Sequence, residues 1–358
     1  MEAVGRLGPA LLGVLVAFER IQRELDPENF QRLSKGLAEP AARLSKAFDD
    51  AAARPRSPET ERLGAALLEA ARHGVAATEL FLGTPKTETP AASGAPVDIS
   101  RVMGALREHC RAQAGLFPLR GALPPLDRYF IEPQAESRLG ELRAGRPGTG
   151  IFNASNGPEV RGGFSFFAPE DYDEAKPWPL VVALHGGWGH GGDFLWTWLR
   201  EARSRGWLLL APTSQATTWS MMGADSDAAA LDSMLDYVEQ RWNVASESRL
   251  LTGLSDGGTY ALLRGLAEGS RFTALAPVAC VLHPANLVNG NLGRARGKPI
   301  RWIHGARDWM FPLEVARQGC STLKEAGAET DLIEIADLAH AYPREQNPGI
   351  LEWAGTTR

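Results

Sequence analysis

Cysteine is scarce in this sequence, which has only Cys110, Cys280 and Cys320 among its 358 residues. Three thiols cannot form an even-numbered disulfide framework, and no cluster of His, Cys and Asp has the ligand spacing of a zinc site. We therefore expect free thiols, with Cys280 and Cys320 in packed segments. We expect no bound metal and no other cofactor.

Long apolar runs are also missing, since no stretch approaches the roughly 18 apolar residues that a membrane-spanning helix needs. An apolar stretch from Pro9 to Phe18 is followed at once by Glu19 and Arg20, so we interpret it as one face of a helix. The chain starts Met-Glu-Ala, without the basic start and the small-residue cleavage site of a signal peptide. The sequence thus predicts a cytoplasmic protein without a membrane span.

Basic charge is not in surplus either, because 38 Lys and Arg stand against 43 Asp and Glu, for a formal net charge of −5. Proteins whose main partner is nucleic acid carry a basic patch or stripe, so we do not expect nucleic acid as a partner. Hydrophobic residues make up 44% and charged residues 23% of the chain, as in ordinary globular proteins. No internal repeat is apparent.

The first part of the chain is rich in Ala, Leu, Arg and Glu with helical periodicity, which predicts three helices within residues 1–82. The third has a clear start, with Ser57 as the capping residue and Pro58 in the first turn. A segment rich in Pro, Thr, Ala and Ser, residues 83–96, predicts a linker. A further helix is predicted over residues 99–113, followed by an irregular, Pro-rich passage up to Glu159.

We predict two domains: an N-terminal all-helical region, residues 1–125, and a second domain, residues 126–358. Strands alternate with helices in the second domain, which favours a mostly parallel sheet flanked by helices on both faces. The apolar stripe of the N-terminal helices is typical of a core, so we expect a bundle that packs on the second domain or on another subunit. Two roles remain open for this region: it could form a homo-oligomer through these helices, or it could form a lid over a site.

The pentapeptide Gly-Leu-Ser-Asp-Gly at residues 253–257 lies between an apolar strand predicted over residues 249–252 and a predicted helix. Such a turn strains the serine backbone and lifts its Oγ clear of the sheet, while the glycines avoid collisions between strand and helix. Ser255 is therefore a candidate nucleophile. With 38 glycines in the chain, a chance match in a loop is conceivable, so the assignment depends on the partners of Ser255.

The partners of such a serine follow in the chain order acid, then histidine, on loops after later strands. Asp308 follows a strand predicted over residues 298–303, and His340 follows a strand predicted over residues 331–335. We predict Asp308 as the acid and His340 as the base. Asp337 and Glu334 are alternative acids, but we prefer Asp308, which follows the seventh strand segment. His304 ends a strand, so we expect it to be packed.

A glycine-rich loop, His-Gly-Gly-Trp-Gly-His-Gly-Gly at residues 185–192, follows the strand predicted over residues 178–184. Two fixed backbone N–H groups stabilise the oxyanion in serine hydrolases. We predict the N–H of Asp256 as one donor and that of Gly187, or less favourably Trp188, as the other. His185 should organise the loop by hydrogen bonding, whereas we do not expect His190 to reach the pocket.

The same glycines also spell G-x-G-x-x-G from Gly187 to Gly192, a pattern found in dinucleotide-binding folds. That fold needs an acidic residue at the end of the next strand to bind the ribose. The strand predicted over residues 207–211 is followed by Pro-Thr-Ser-Gln instead, and Trp188 would crowd a pyrophosphate. The pattern therefore does not predict a nucleotide site.

Taken together, the motifs from about Glu159 to the C-terminus resemble those of the α/β-hydrolase superfamily. Within it they resemble the phospholipase/carboxylesterase and polyhydroxybutyrate-depolymerase/feruloyl-esterase-like group. The resemblance also includes Ala-Pro-Thr at residues 211–213 and Tyr-Pro at residues 342–343. It implies an α/β-hydrolase fold and a Ser-His-Asp ester hydrolase that needs no cofactor, and it does not extend to the first 120 or so residues.

Aromatic and methionine side chains occur on segments that should border the pocket: Trp188, Trp219, Trp309 and Met310. Because such side chains bury large apolar groups, they favour small to medium apolar or aromatic esters, although packing beneath the loops is the alternative. Short acyl, aryl, lysophospholipid and polyester substrates all remain open.

Two other functions compete with the esterase. A serine peptidase of the same fold would share the triad, but such enzymes usually carry a propeller or a large cap, which the N-terminal helices do not resemble. A non-catalytic binding protein on a hydrolase scaffold is disfavoured, because all the catalytic elements are present in the sequence.

Overall fold

The structure is a computed structural model that describes residues 2–53, 58–83, 98–142 and 146–357. The chain divides into two compact units, Met1–Pro133 and Gln134–Arg358. None of the helices within the described ranges combines the length and the hydropathy that a bilayer crossing requires.

The first unit is built from helices. They are α1 Glu2–Glu24, α2 Phe30–Ala52, α3 Pro58–Leu82, α4 Ile99–Leu116 and α5 Pro124–Tyr129. Leu11, Leu15 and Phe18 of α1 are buried, as the apolar stripe predicts. The three helices predicted before residue 83 are confirmed, and α4 continues one turn beyond its predicted end. The predicted domain boundary after residue 125 falls inside α5.

Two predictions for the first unit fall on parts of the chain that the structure does not describe. The capping residue Ser57 lies outside the described residues. The same holds for the predicted linker over residues 83–96, except for Gly83 at the end of α3.

Eight strands in the described part of the second unit form one sheet in the order β1-β2-β4-β3-β5-β6-β7-β8. They are β1 Gly150–Ala154, β2 Phe164–Ala168, β3 Trp178–Leu184, β4 Leu208–Pro212, β5 Val244–Leu254, β6 Ala274–Val278, β7 Pro299–Gly305 and β8 Glu329–Ile335. Strands β3 to β8 pair in parallel, whereas β1 and β2 add an antiparallel edge.

The helices in the described part of the second unit precede, connect or follow these strands. They are α6 Leu139–Leu142, α7 Gly191–Arg205, α8 Ser226–Glu239, α9 Asp256–Gly265, α10 Ala285–Val288, α11 Leu313–Glu325 and α12 Asn347–Thr356. The prediction of a mostly parallel sheet flanked by helices is therefore confirmed. The passage predicted as irregular up to Glu159 contains β1, which sequence periodicity missed because this edge strand is short and only partly buried.

The centre of the sheet is covered on both faces. Residues 180–184 of β3 and residues 250–252 of β5 are fully buried, which explains why both strands are continuous apolar runs rather than alternating patterns. Because parallel strands end at the same edge of a sheet, the loops after β3, β4, β5, β7 and β8 meet at the carboxyl edge. Every predicted site residue lies on one of these loops or at the start of α9.

Candidate active site

Ser255 lies in a sharp turn between β5 and α9. Its backbone has φ 55° and ψ −120°, a strained conformation for a residue with a side chain. Its N–H donates to the carbonyl of Val278 on β6 at 2.9 Å, which fixes the turn to the sheet. A Cβ on Gly253 would collide with the backbone of Gly257, and a Cβ on Gly257 would collide with carbonyls at the end of β3. Both glycines are therefore required for steric reasons, as the sequence pattern predicted.

Three side chains that lie far apart in the sequence form one hydrogen-bonded chain. The Nε2 atom of His340 lies 3.0 Å from Oγ of Ser255, and its Nδ1 atom lies 2.9 Å from Oδ2 of Asp308. An ionised Asp308 accepts the proton of Nδ1, so the lone pair of Nε2 faces the serine hydroxyl. Ser255 keeps 9% of its surface exposed and can still be reached.

The carboxylate of Asp308 is held by its own loop. Its Oδ1 atom accepts the N–H groups of Met310 at 2.9 Å and Phe311 at 2.8 Å. Burial by itself raises the pKa of Asp308, but the hydrogen bond and electrostatic attraction of the His340 ring and these two N–H groups outweigh it and hold the pKa below its usual value. Asp308 is therefore ionised at neutral pH.

The two alternative acids have other surroundings. Glu334 forms a bidentate ion pair with Arg317 at 2.8 and 2.7 Å and is exposed. Asp337 is exposed as well. The carboxylate in contact with His340 is that of Asp308.

His304 is buried next to the acid. Its Nε2 atom donates to the carbonyl of Phe311 at 2.8 Å and lies 3.5 Å from Oδ2 of Asp308. The expectation that His304 is packed is confirmed, and the structure adds that it packs against the loop that carries the acid.

The oxyanion loop, residues 185–190, lies beside the nucleophile. A Cβ built on Gly186 would be 3.6 Å from Cβ of Ser255, and one on Gly187 would be 2.7 Å from Oδ2 of Asp256. The N–H of Trp188 donates to the carbonyl of Thr217 at 2.7 Å, so this less favoured donor is already engaged. Within the described residues, the N–H groups of Gly187 and Asp256 have no hydrogen-bonded acceptor.

His185 organises this loop, as expected from the sequence. Its Nε2 atom accepts the N–H of Ser214 at 3.1 Å, so the proton is on Nδ1, which donates to the carbonyl of Gly186 at 2.7 Å. Burial, with a smaller contribution from the nearby charge of Arg161, lowers the pKa of His185 to about 3 despite the hydrogen bond to Gly186. His190 caps α7 by accepting the N–H of Gly192.

The low pKa of His185 predicts a pH dependence of stability. Its unfolded pKa is near 6.5, so between about pH 6.5 and about pH 3 the unfolded chain binds a proton that the folded protein excludes. The free energy of unfolding should therefore fall as the pH falls through this window, by at most about 1.4 kcal/mol per pH unit from this group. Urea unfolding of wild type and His185→Gln across the window checks this. The free energy of unfolding should depend more steeply on pH in wild type than in His185→Gln. Equal slopes would contradict the low pKa of His185.

The predicted pocket residues have different environments. Trp188 and Trp309 are 71% and 53% exposed, and Met310 is also exposed. The ring of Trp309 stands edge-on to that of His340 at 6.2 Å. Trp219, by contrast, is only 3% exposed.

The prediction that Trp219 lines the pocket needs correction. Its ring stacks on Tyr260, and its Nε1 donates to the carbonyl of His185 at 2.7 Å. The side chain therefore packs under the oxyanion loop and supports it, which is the alternative that the sequence had left open.

A cleft of about 260 Å³ lies apart from the three hydrogen-bonded site residues. It lies between the loop after β4, the end of α9 and the region of α10. Its polar lining includes Ser220, Asp225, Arg264 and Arg294, and it contains none of Ser255, Asp308 and His340. Within the described ranges no group of three or more His, Cys, Asp or Glu side chains is arranged to hold a metal ion.

A serine on a strand-to-helix turn at the carboxyl edge of a mostly parallel sheet, with its acid and histidine on later loops, is the arrangement of the α/β-hydrolases. The chain has this fold, as predicted.

The chain is 30% identical over 155 residues to feruloyl esterase C of Emericella nidulans, a match that covers 41% of this chain and 54% of that protein. It is 26% identical over 155 residues to a probable feruloyl esterase C of Aspergillus terreus, with the same coverage. A solved thermostable esterase matches with a TM-score of 0.47 and 20% identity, over 57% of this chain and 62% of that one. No protein-family model matches the chain.

The curated relatives confirm the predicted resemblance to the feruloyl-esterase-like group of α/β-hydrolases. The chain spans about half the length of these relatives.

Proposed function

We propose that this protein hydrolyses carboxylic esters through an acyl-enzyme formed on Ser255. The observation that carries the proposal is the hydrogen-bonded chain from the serine hydroxyl through His340 to Asp308. A nucleophile, a base and a group that orients the base are thereby within hydrogen-bonding distance of each other, which is the requirement for activating a serine.

The reaction follows from these positions. As Oγ of Ser255 attacks the ester carbonyl, Nε2 of His340 takes its proton and then returns it to the departing alcohol. Water, deprotonated by the same Nε2, then attacks the acyl carbon; the bond from this carbon to Oγ breaks, Oγ takes the proton back from Nε2, and the acid leaves. Asp308 stays ionised throughout, holds the proton on Nδ1 of His340 and stabilises the imidazolium that forms.

The N–H groups of Gly187 and Asp256 are the proposed oxyanion donors. Both N–H groups are available, whereas the N–H of Trp188 is engaged by Thr217. Fixed donors stabilise the negative charge on the carbonyl oxygen in the transition state without having to reorganise.

The proposed substrates are small to medium apolar or aromatic esters. The exposed side chains of Trp188, Trp309 and Met310 lie on the loops that carry Gly187 and the acid, and Trp309 stands beside His340. Large apolar side chains that remain exposed at a site favour an apolar or aromatic ligand group. The curated relatives are named feruloyl esterases, which agrees with an aromatic acyl group.

Hydrolysis of p-nitrophenyl esters from acetate to long acyl chains, with p-nitroanilides of the same acids in parallel, tests this function. We expect turnover of the esters in the presence of a chelator, with only slow cleavage of the anilides. Anilide rates near the ester rates would favour a serine peptidase. Absence of turnover across both series would contradict an esterase and favour a binding role.

A further inference from the structure

A second loop at the carboxyl edge of the sheet contacts the oxyanion loop at several points. We call this segment, residues 214–220 after β4, the clamp loop. The carbonyl of Thr217 accepts the N–H of Trp188, and Nε1 of Trp219 donates to the carbonyl of His185. The oxyanion loop is therefore held at both of these positions by main-chain and side-chain contacts of the clamp loop.

The clamp loop also reaches the other proposed oxyanion donor. The hydroxyl of Thr218 donates to Oδ2 of Asp256 at 2.5 Å. The same carboxylate oxygen lies next to Gly187, where a Cβ would be 2.7 Å away. The position of the clamp loop thus affects both residues whose N–H groups would bind the oxyanion.

One charged side chain, Arg161, ties the clamp loop to the oxyanion loop. Its Nε donates to the carbonyl of Ser214 at 3.1 Å, and its Nη1 donates to the carbonyl of Gly189 at 2.7 Å. Its Nη2 donates to the hydroxyl of Ser214 and to the carbonyl of Ala216. The planar guanidinium can satisfy several carbonyls in fixed directions at once, which an ammonium group on a flexible stem does not do.

A second charged side chain, Asp227 of α8, holds the clamp loop from its other side. Its Oδ1 accepts the N–H of Gln215 at 2.7 Å, and its Oδ2 accepts the N–H and the hydroxyl of Ser220 at 2.7 and 2.8 Å. Asp227 is only 2% exposed, so these hydrogen bonds are made in a setting of low dielectric where they are strong. Arg161 thus donates to carbonyl and hydroxyl oxygens of the clamp loop. Asp227 accepts from N–H and hydroxyl groups near both ends of the same loop.

We propose that Arg161 and Asp227 are positioning residues for the oxyanion hole, acting through the clamp loop. Neither residue touches the reacting atoms. They fix the spacing between the N–H groups of Gly187 and Asp256. With this spacing, the two N–H groups donate hydrogen bonds to the negatively charged oxygen of the transition state better than to the carbonyl oxygen of the bound ester. The inference rests on the proposed ester hydrolysis.

The test compares Arg161→Gln and Asp227→Asn with Arg138→Gln. Arg138 is a matched control, because it is also half-buried, also donates to more than one main-chain carbonyl, here those of Arg203 and Ser204, and pairs with Asp171. For each variant, kcat, KM, Tm and the affinity for phenylboronic acid are measured. Phenylboronic acid forms a tetrahedral adduct with an active serine and so reports on the oxyanion hole.

We expect kcat of Arg161→Gln and of Asp227→Asn to fall about 10- to 100-fold, since displaced donors lose part of the oxyanion stabilisation. Affinity for phenylboronic acid should fall by a similar factor while KM changes little. Arg138→Gln should keep the wild-type kcat with a comparable loss of Tm. The double variant should lose less than the product of the single losses, because both residues act through the same loop.

The proposal would be overturned if kcat of Arg161→Gln and of Asp227→Asn equalled that of Arg138→Gln. It would also be overturned if these two variants differed from wild type only in KM and Tm. If Arg161→Gln does not fold, the near-isosteric Asp227→Asn decides the matter by the same criteria. Turnover by wild type that requires Ser255, together with unchanged kcat in these variants, refutes the positioning role alone. Absence of any Ser255-dependent turnover in wild type refutes the esterase and the positioning role together.

Discussion

Replacing Ser255 with alanine should abolish ester hydrolysis almost completely. The hydroxyl oxygen is the atom that forms the acyl-enzyme, and its hydrogen bond to His340 has no substitute in the variant. Loss of the nucleophile in serine hydrolases costs on the order of 10⁶-fold in kcat, and the residual rate comes from the oxyanion hole and substrate binding. The measurement is kcat for a p-nitrophenyl ester with the two proteins at equal concentration.

The control for this variant is Ser233→Ala on α8, where a serine hydroxyl donates only to the carbonyl of Ala229. This variant should hydrolyse the ester at the wild-type rate. Both variants should melt close to wild type, since each loses only one hydroxyl. A Ser255→Ala protein with a rate near that of wild type would refute the proposed nucleophile.

Replacing Asp308 with asparagine should lower kcat by about 10⁴-fold, although the side chain keeps its shape. An ionised Asp308 accepts the proton of Nδ1 and leaves Nε2 free to take the serine proton. The asparagine amide can instead donate to Nδ1, which moves the imidazole proton to Nε2 and leaves no base facing Ser255. KM should change little, because the side chain of Asp308 is fully buried and so out of reach of a substrate.

The same experiment decides between the three candidate acids. Glu334→Gln breaks an exposed ion pair with Arg317, and Asp337→Asn changes an exposed side chain, so both should keep kcat within about twofold of wild type. A larger loss for Asp337→Asn or Glu334→Gln than for Asp308→Asn would move the acid to that residue and refute the proposed triad.

Sequence reasoning predicted the fold of the second unit because its signals are local. The central strands are continuous apolar runs, which occur where a parallel strand is buried on both faces. The turn at Ser255 demands glycines at fixed positions, so its pattern is visible without the structure. The order of Ser255, Asp308 and His340 along the chain then follows from the topology of this fold.

The residues that sequence reasoning missed act through contacts between distant segments. Arg161 lies just after the passage predicted as irregular, and its partners come more than 25 positions later in the chain. Nothing in the pattern around Arg161 or Asp227 separates them from ordinary surface charges. The prediction that Trp219 lines the pocket was wrong for the same reason, since an aromatic residue on a loop can pack beneath it or face the ligand with the same local sequence.

Several predictions about the rest of the molecule stay predictions. They are self-association through the N-terminal helices, a lid formed by these helices, and a cytoplasmic location. The buried apolar stripes of α1 and α2 agree with a bundle that forms its own core.

The most direct test of the account is labelling with a fluorophosphonate, followed by peptide mapping and by assay of the labelled protein. We expect one phosphonyl group per chain, attached to Ser255, and a loss of ester hydrolysis in proportion to labelling. Phosphonylation of a different residue, or full ester hydrolysis after complete labelling, would contradict Ser255 as the nucleophile of this protein.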